Sequence, residues 1–395
     1  MKTIFEKPIN MVHKNFKGIE PEPKQIKSEN DYNETELQMA IEYTENEDMK
    51  KYRKIKFEAY KKWDFPIWKR ARLKGYDPLK YTPCKSQIDN IDEEGLEILS
   101  KYGFEGAHRK YLLMAETFYN TGYYIKTNEN EIAETKVIQY NTETSVYENT
   151  VFNIKKNSKL TVVRVFKTKS DIFRTTALKG RLEENSELTI INVNILNDEN
   201  ISIDNAMFDI GKNAKIKVFD LNIGGKLAVP HYIFRLSEKN GQAEMKPYFL
   251  GNNETIIDML YLMKFYAPDT IGKIYGKGAL KDKSKVIFRG FLDLKKGAKE
   301  ATADESEYTL LLSPKAKAEA IPSLLVDENE VNAAHAASVG TIEEDKLYYL
   351  MTRGFSKDEA KKLISFGIFE PVIEEIEKYH PSTAEVITNV IKSKI

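Results

Sequence analysis

A repeat with a fixed period runs through the middle of the chain and restricts the folds that it can adopt. The segments Asn157–Leu160, Asn185–Leu188 and Asn213–Ile216 follow one another at intervals of 28 residues. Ser284–Val286 and Ala298–Glu300 lie 14 residues apart, which is half of that period. A period of this length is typical of stacked repeats, in which each turn packs only against its neighbours. The repeat therefore favours a coiled stack.

The residues between the repeated segments have the composition of β-strands. Lys159–Val165 and Leu188–Val193 are rich in β-branched side chains and are bounded by Asn, Gly and Lys, as in short strands joined by tight turns. The pattern predicts a mainly β fold whose core, at residues 123–331, is a right-handed parallel β-helix. A plain antiparallel sandwich is the alternative that the strands alone leave open.

Helical patterns flank the predicted core on both sides. Residues 1–34 are rich in Lys, Glu, Asn and Pro without periodicity, which predicts a flexible segment. Residues 35–122 are predicted to form an N-terminal helical region, and residues 332–395 a C-terminal helical region. Because a stack of strands buries its interior only against neighbouring turns, its ends need covers. We expect the two helical regions to supply them.

Two helix-start signals divide the C-terminal region. Thr341 with Glu344, and Ser356 with Glu359, match the capping box, in which two side chains satisfy the exposed amides at the start of a helix. These pairs predict two short helices after the strands. A last helix is expected after Thr383.

Charge and cysteine content exclude several classes of protein. The 60 Lys and Arg residues balance 60 Asp and Glu residues, so no overall field would attract nucleic acid or an anionic membrane. The sequence shows neither a signal peptide nor an apolar run near the ~18 residues of a membrane span, which predicts a soluble, cytoplasmic protein. Cys84 is the one cysteine, which excludes an internal disulfide or a multi-cysteine metal cage. It is interpreted as an ordinary thiol.

Two segments near the C-terminus resemble the signature of a known family. Asn332–Gly340, with His335 at its centre, and Leu347–Gly354 are closely similar to the C-terminal signature of the SufB/SufD family of iron–sulfur cluster assembly proteins. Order and spacing are kept over residues 277–354, and Ile55–Leu73 resembles the family's N-terminal helical region more weakly. The resemblance implies a non-catalytic β-helix scaffold subunit of the SUF complex.

Four positions within the resemblance separate the two kinds of subunit. SufB-type subunits resemble this chain but have cysteines where it has Glu307 and Ala316, and a glutamate where it has Ala336. Some SufD-type members have a cysteine at the position of Ala333. A persulfide needs a thiol, and an alanine offers no donor to iron. The resemblance therefore implies a SufD-type subunit.

His335 is the strong donor that remains in the signature. In the family this histidine is implicated in cluster assembly at the interface between SufB and SufD, and a neutral imidazole can ligate iron. A single histidine among alanines would by itself more often be structural. The resemblance makes His335 the candidate iron ligand, supplied to a site on another subunit. This chain alone is expected to hold no stable cofactor and to meet the iron–sulfur cluster only transiently in the complex.

The resemblance also implies that SufC, the family's ATP-binding-cassette ATPase, docks on the helices after Thr341. The alternative is that these helices seal the end of the β-helix, although their apolar surface exceeds what a cover needs. The chain contains no Gly-x-x-x-x-Gly-Lys-Ser/Thr loop, so ATP hydrolysis is assigned to the partner. The candidate docking residues are Tyr348, Tyr349, Arg353, Phe355, Phe366 and Phe369.

Two other functions stay open at this level. A SufB-like or ancestral scaffold would pair with itself and bind the nascent cluster, although one cysteine per chain supplies few thiolates. A β-helix groove lined by carboxylates is also suited to polysaccharide cleavage, but Asp304, Glu305 and Glu307 are interpreted as a solvated face. The expected partners are therefore a SufC-like ATPase and either a SufB-like paralogue or a second copy of this chain.

Overall fold

The N-terminal part of the chain folds into helices and a small sheet. The computed structural model describes residues 24–101, 108–140 and 142–395, so most of the predicted flexible segment 1–34 lies outside the described residues. A short 3₁₀ helix precedes the third α-helix. The elements in order are β1 (Gln25–Ile26), α1 (Glu34–Glu42), α2 (Glu47–Tyr60), β2 (Phe65–Trp68), β3 (Leu73–Lys74), the 3₁₀ helix (Gln87–Asn90), α3 (Glu93–Lys101) and α4 (Arg109–Phe118).

Seventeen further strands in the described chain alternate between two sheets. They are β4 (Tyr124–Lys126), β5 (Lys136–Tyr140), β6 (Val146–Ile154), β7 (Lys159–Lys167), β8 (Phe173–Leu182), β9 (Glu187–Leu196), β10 (Ile201–Ile210), β11 (Lys215–Gly224), β12 (Leu227–Leu236), β13 (Gln242–Gly251), β14 (Ile256–Phe265), β15 (Ile271–Leu280), β16 (Lys285–Leu294), β17 (Ala301–Leu311), β18 (Lys317–Ala320), β19 (Ser323–Val326) and β20 (Val331–Gly340).

The strand order within each sheet is that of a parallel solenoid. Sheet A joins the even-numbered strands β4 to β18 in sequence order, with β19 also on β16, and sheet B joins the odd-numbered strands β5 to β17, followed by β20. All the pairs in both sheets are parallel. The prediction of a mainly β fold with a parallel β-helix core is confirmed, and the antiparallel sandwich is excluded. The solenoid has about eight turns, as each turn adds one strand to each sheet.

An asparagine ladder explains the period of the repeat. Asn157, Asn185, Asn213 and Asn240 occupy the same place in successive turns, with φ of 56°, 58°, 54° and 60°. This left-handed conformation strains most residues with a Cβ, but asparagine tolerates it. Each side-chain amide donates to the side-chain carbonyl of the turn before, at 2.9 Å from Asn157 to Asn130, 2.8 Å from Asn185 to Asn157 and 2.9 Å for the next two steps.

Side chains that point inward fill the space between the two sheets. They form one apolar cluster that draws on nearly every turn, because alternate side chains of a strand face the same side. A polar column interrupts this cluster from the second turn onward, where Arg164 donates to Glu148 at 2.6 Å. Nearer the C-terminal end, the ring of Phe288 occupies the space that Gly276 leaves, as a Cβ on Gly276 would lie 2.5 Å from it. Phe288 is the last of three neighbouring inward rings, with centroids 5.9 Å apart for Tyr232 and Tyr261 and 5.7 Å apart for Tyr261 and Phe288. We call these rings the aromatic layer.

A buried ion cluster ties the N-terminal helices to the outer face of sheet A. Glu116 of α4 is fully buried and accepts hydrogen bonds from Lys179 of β8 at 2.9 Å and from Lys56 of α2 at 2.8 Å. Desolvation by burial raises the pKa of Glu116, but the charges of Lys179 and Lys56 outweigh it and lower that pKa to about 2. The carboxylate is therefore ionised at neutral pH. It anchors two helices to one strand.

The C-terminal helices lie along the side of the solenoid. They are α5 (Glu344–Thr352), α6 (Lys357–Gly367), α7 (Glu370–Tyr379) and α8 (Pro381–Lys394). Phe369, Ile376 and Ile387 are fully buried and belong to one cluster with residues from the outer face of sheet B, such as Phe219 and Leu221. The expectation that this helical region covers an end of the stack is therefore wrong. No α-helix in the described residues is long and apolar enough to cross a membrane.

The last strand occupies a segment for which the sequence predicted helix. Val331–Gly340 forms β20, which pairs with β17 along its length, whereas the C-terminal helical region was expected to begin directly after Val331. The alanines of this segment favour a helix by propensity, but strand pairing overrides that preference. Thr341 does not cap α5, which starts from Glu343 without a side-chain hydrogen bond. The capping box predicted at Ser356 is confirmed.

Candidate functional site at the open end of the solenoid

No element of the described residues covers the C-terminal end of the solenoid. β20 ends sheet B, and β18 and β19 end sheet A, so each has one edge without a strand partner in the described residues. Residues 332–339 of β20 are exposed. A strand with a free edge presents unpaired amide and carbonyl groups and is a template for pairing with another chain. This end therefore presents an unpaired strand edge.

His335 stands at the centre of the open end. It pairs in register with Glu305 of β17, so the two side chains lie on the same face with Cα atoms roughly 4.8 Å apart. That face is the inner one, because Val331, four residues earlier on β20, packs against the interior cluster. The imidazole is exposed because no turn covers β20 in the described residues.

Two carboxylates lie beneath β20, with Glu305 opposite His335 and Glu307 opposite Ala337. Glu305 and Glu307 face inward on β17 and are only 2% and 3% exposed. Thr309 donates to one oxygen of Glu307 at 2.7 Å, but Oε2 of each glutamate has no hydrogen-bond partner in the described residues. The interpretation of Glu305 and Glu307 as a solvated face is wrong. We call these two glutamates and His335 the mouth.

Burial changes the protonation of the two glutamates. Desolvation, and then the charge of Glu307, raises the pKa of Glu305 to about 8. Desolvation raises the pKa of Glu307 to about 7 against the opposing hydrogen bond from Thr309. A carboxylate without a cation nearby is costly to bury, so it gains a proton or a counter-ion. The mouth is therefore a place where a cation would be stabilised.

The mouth contains no thiol. Ala316 is buried in the interior cluster, and Ala333 lies on the inner face of β20, two residues before His335 and in register with Ala303. Ala336, directly after His335, faces the other way by the alternation of a strand. Glu307, Ala316 and Ala333, the positions at which the sequence resemblance implies cysteines in other members of the family, thus hold glutamate or alanine here.

Cys84 is remote from the mouth. Its neighbour Tyr81 packs against Tyr147 of β6, with ring centroids 6.0 Å apart, and six strand spacings separate β6 from β18, or roughly 30 Å. The exposed Cys84 therefore cannot join His335 at one metal ion within a chain. Among the described residues, no three His, Cys, Asp or Glu side chains converge to hold a metal.

The candidate docking residues divide into an exposed and a buried group. Tyr348, Tyr349 and Phe355 are 70%, 58% and 42% exposed, and Arg353 lies over the ring of Tyr349 at 5.2 Å. We call these four residues the docking face. Two further candidates pack inward. Phe366 is half-buried and Phe369 is fully buried, both against the cluster that joins the helices to sheet B.

The burial of Phe369 corrects its predicted role. A side chain without accessible surface cannot contact another protein unless the helices separate from the sheet. Its position at the start of α7 makes it an anchor of that helix on sheet B. Glu305 was in turn missed as a site residue, although Ala301, Ala303 and Thr309 at even spacing on the same strand indicate an inward-facing row.

Comparison with protein families places most of the solenoid in one family. The family model described as the SufBD core domain of the SUF system for FeS cluster assembly matches residues 137–368. This segment is more than half of the chain and contains the mouth and the docking face.

Curated relatives agree with this match. The iron–sulfur cluster assembly protein SufD of Bacillus subtilis is 37% identical over 133 residues, which cover 34% of this chain and 30% of that protein. A SufBD family protein of Pyrococcus horikoshii is 33% identical over 168 residues, 42% of this chain and 37% of that protein. One of Staphylococcus aureus is 30% identical over 167 residues, 42% of this chain and 36% of that protein. The aligned segments thus span about a third of each relative.

Proposed function

Because the chain belongs to the SufBD family of iron–sulfur cluster assembly proteins, we propose that it is a SufD-type scaffold subunit that pairs with a SufB-like partner and docks a SufC-like ATPase. In this proposal the chain is non-catalytic and cytoplasmic, and it meets the nascent cluster only within the complex. The cluster is cargo, assembled between His335 and the thiols of the partner.

The observation that carries the proposal is an open strand edge that presents a histidine and no cysteine. The free edge of β20 is suited to strand pairing with another chain, and His335 lies on that strand. Glu307 and Ala333 are inward positions close to it on β17 and β20, and Ala316 lies in the interior cluster. None of the three side chains can carry a persulfide. A thiolate-ligated cluster at this place therefore needs cysteines from the chain that covers β20.

The alternative is a homodimeric scaffold that binds the cluster itself. A second copy would fit the free edge of β20, but it would bring no thiol to the mouth, because Cys84 lies roughly 30 Å away in each copy. Such a cluster would depend on histidine and carboxylate ligands, an unusual set for iron and sulfide. We therefore favour the cysteine-bearing partner.

The docking of the ATPase is proposed for the exposed aromatic residues of α5 and of the turn after it. Tyr348, Tyr349 and Phe355 offer a rigid aromatic surface of the kind that forms hot spots in interfaces. Removing residues 341–395 would not test this claim, because it would also strip α7 and α8 from sheet B. Point substitutions on the docking face leave those helices in place.

Two variants test the two halves of the proposal. Tyr348→Ala with Tyr349→Ala should lose co-purification with the SufC-like ATPase, whereas Tyr43→Ala, at another exposed tyrosine in the N-terminal region, should retain it. Retention by the double variant would refute the docking claim. His335→Ala should leave folding and ATPase binding intact but lower cluster yield in the full complex. An unchanged yield would remove His335 from the mechanism.

A further inference from the structure

A cluster of cations lies beside the free edge of sheet A. The strands β16 and β18 place Lys285 directly opposite Lys317, on the outer face by the alternation of the strands. Lys315 lies two residues before Lys317, as Lys283 lies before Lys285. Like charges directly opposite one another on neighbouring strands destabilise a sheet, whereas opposite charges stabilise it. The last strand of sheet A therefore has cations where an acid would pair with the strand before it.

Charges of opposite sign alternate in earlier turns of the solenoid. Lys283 binds Glu254 of the turn before it at 2.8 Å. On the other long edge of the solenoid, Glu184 binds the lysines of both neighbouring turns, at 2.7 Å and 2.9 Å. At the last turn the alternation stops, because Lys315 and Lys317 are exposed and form no ion pair in the described residues.

The turn between β2 and β3 brings three more cations to the same place. Ala71 in this turn is buried in one cluster with Ile256 of sheet A. The backbone carbonyl of Arg70 accepts from Lys285 at 3.3 Å. The Arg70 guanidinium lies 3.8 Å from Glu319, which also binds Lys285 at 2.6 Å. The turn thus lies over the start of β16 and β18, and its exposed cations are Lys69, Arg70 and Arg72.

These side chains form one patch with an excess of positive charge. We call it the basic rim and define it as Lys69, Arg70, Arg72, Lys285, Lys315 and Lys317. Glu319 contacts two of its members. The acids of the neighbouring turns have other partners, since Glu254 binds Lys283 and Asp282 accepts from a backbone amide at 3.0 Å. The hydrogen bond to Glu254 raises the pKa of Lys283, and the nearby charge of Arg72 opposes that rise.

We propose that the basic rim binds a row of Asp and Glu side chains on the chain that covers the open end. A strand added beyond β18 would lie roughly 4.8 Å away, with its outward side chains beside Lys315 and Lys317. Acids at those positions restore the alternation of charge that earlier turns show. The inference rests on the proposed function for the identity of this chain as the SufB-like partner.

The neighbouring strand edges favour a protein as the occupant. The basic rim adjoins β18, whose outer edge is unpaired in the described residues. Another polypeptide can continue that hydrogen-bond ladder and supply carboxylates at the same time, whereas a nucleic acid or a lipid surface cannot continue a strand. A chain with lysines at the facing positions would be repelled, so the basic rim also selects among partners.

The rate of association with the SufB-like partner, followed on a biosensor at low and high NaCl, tests the proposal. Exposed interfacial charges act mainly on the association rate and its salt dependence. Lys315→Glu with Lys317→Glu should slow association about tenfold at low salt and weaken its dependence on salt. Lys167→Glu with Lys169→Glu is the matched control, because it reverses two exposed lysines at the same spacing on an early turn. It should associate at the wild-type rate.

The charge reversal should leave the isolated chain as stable as the wild type or more so. Lys317→Glu places a carboxylate opposite Lys285 and so replaces a like pair with an opposite pair. The melting temperature should therefore stay the same or rise, which separates slow association from loss of the fold. A lower melting temperature would contradict the claim that Lys285 and Lys317 repel one another.

Arg72→Gly tests the part that the N-terminal turn plays. Arg72 has a φ of 53°, which glycine adopts without strain, so the turn keeps its shape while it loses a charge. Association should slow about twofold. An unchanged rate would overturn the assignment of this turn to the basic rim.

Carbodiimide cross-linking of the complex identifies what the basic rim contacts. The reagent joins a lysine amine to a carboxylate beside it, so peptides that contain Lys315 or Lys317 should be linked to Asp or Glu of the partner. A complex without such links, in which the double variant associates at the wild-type rate, would overturn the proposal. Heparin binding that the double variant loses while its pairing is unchanged would overturn it in favour of a polyanion site.

The basic rim and the proposed function fail in different ways. If the wild-type chain forms no complex with a cysteine-bearing partner, the proposed function is refuted and the role of the basic rim falls with it. A complex that forms equally fast with the wild type and with the Lys315→Glu, Lys317→Glu variant refutes the role of the basic rim alone.

Discussion

Substitution of Asn185 tests how the repeat specifies the solenoid. Its side chain donates to Asn157 at 2.8 Å and accepts from Asn213 at 2.9 Å, while its φ is 58°. Asn185→Ala removes two exposed hydrogen bonds, worth roughly 0.5 kcal/mol each, and places an alanine in the left-handed region at about 1 kcal/mol. The expected loss in the free energy of unfolding is about 2 kcal/mol.

Asn185→Gly separates the two contributions. Glycine adopts the left-handed conformation without strain, so this variant should lose only the hydrogen bonds, about 1 kcal/mol. Urea unfolding followed by circular dichroism measures both, with Asn329→Ala, an exposed asparagine outside the ladder, as a control expected to change the stability by less than about 0.5 kcal/mol. If the glycine variant is no more stable than the alanine variant, the left-handed turn does not explain the choice of asparagine.

Three further perturbations address the anchoring of the helices, the free edge and the interior. Glu116→Gln leaves Lys179 buried opposite a neutral group and should lower the free energy of unfolding, measured in urea, by about 3–5 kcal/mol. The folded-state pKa of the Glu116 carboxyl group, about 2, lies below the ordinary 4.5. The wild type should therefore lose this stabilisation as pH falls from about 4.5 towards 2, and the Glu116→Gln variant should not. Ala336→Lys, on the exposed edge strand, should leave the melting temperature unchanged but abolish pairing with the partner in gel filtration. The control Ala336→Ser should pair normally. Pairing by the lysine variant would exclude the β20 edge as the interface. Gly276→Ala should lower the free energy of unfolding, measured in urea, by about 1–3 kcal/mol because its Cβ would clash with the ring of Phe288. An unchanged free energy would show that the aromatic layer can shift.

The solenoid could be predicted from the sequence because its period is marked by residues that each turn needs for a physical reason. Asn157, Asn185 and Asn213 recur where each turn needs a left-handed residue. Strands rich in β-branched residues fill the intervals, so the local preferences and the stacking agree. Both signals depend only on contacts between residues that are no further apart in sequence than one turn of the solenoid.

The mouth could be predicted only in part. His335 was identified through a family signature, and the alanines around it favoured helix over the strand that long-range pairing with β17 produces. Glu305 and Glu307 appeared to be solvated charges, because the direction of a side chain depends on the phase of its strand. The sequence predicted a last helix after Thr383 but not α7 (Glu370–Tyr379), and nothing in its pattern distinguishes packing on the side of the solenoid from packing on its end.

Anaerobic reconstitution of the isolated chain with iron and sulfide tests the central claim most directly. After desalting, bound iron, bound sulfide and the visible absorption spectrum report a cluster. The account predicts that the isolated chain retains none, and that adding a cysteine-bearing SufB-like partner yields a cluster that His335→Ala diminishes. A stable cluster on the isolated chain would contradict the assignment as a SufD-type subunit.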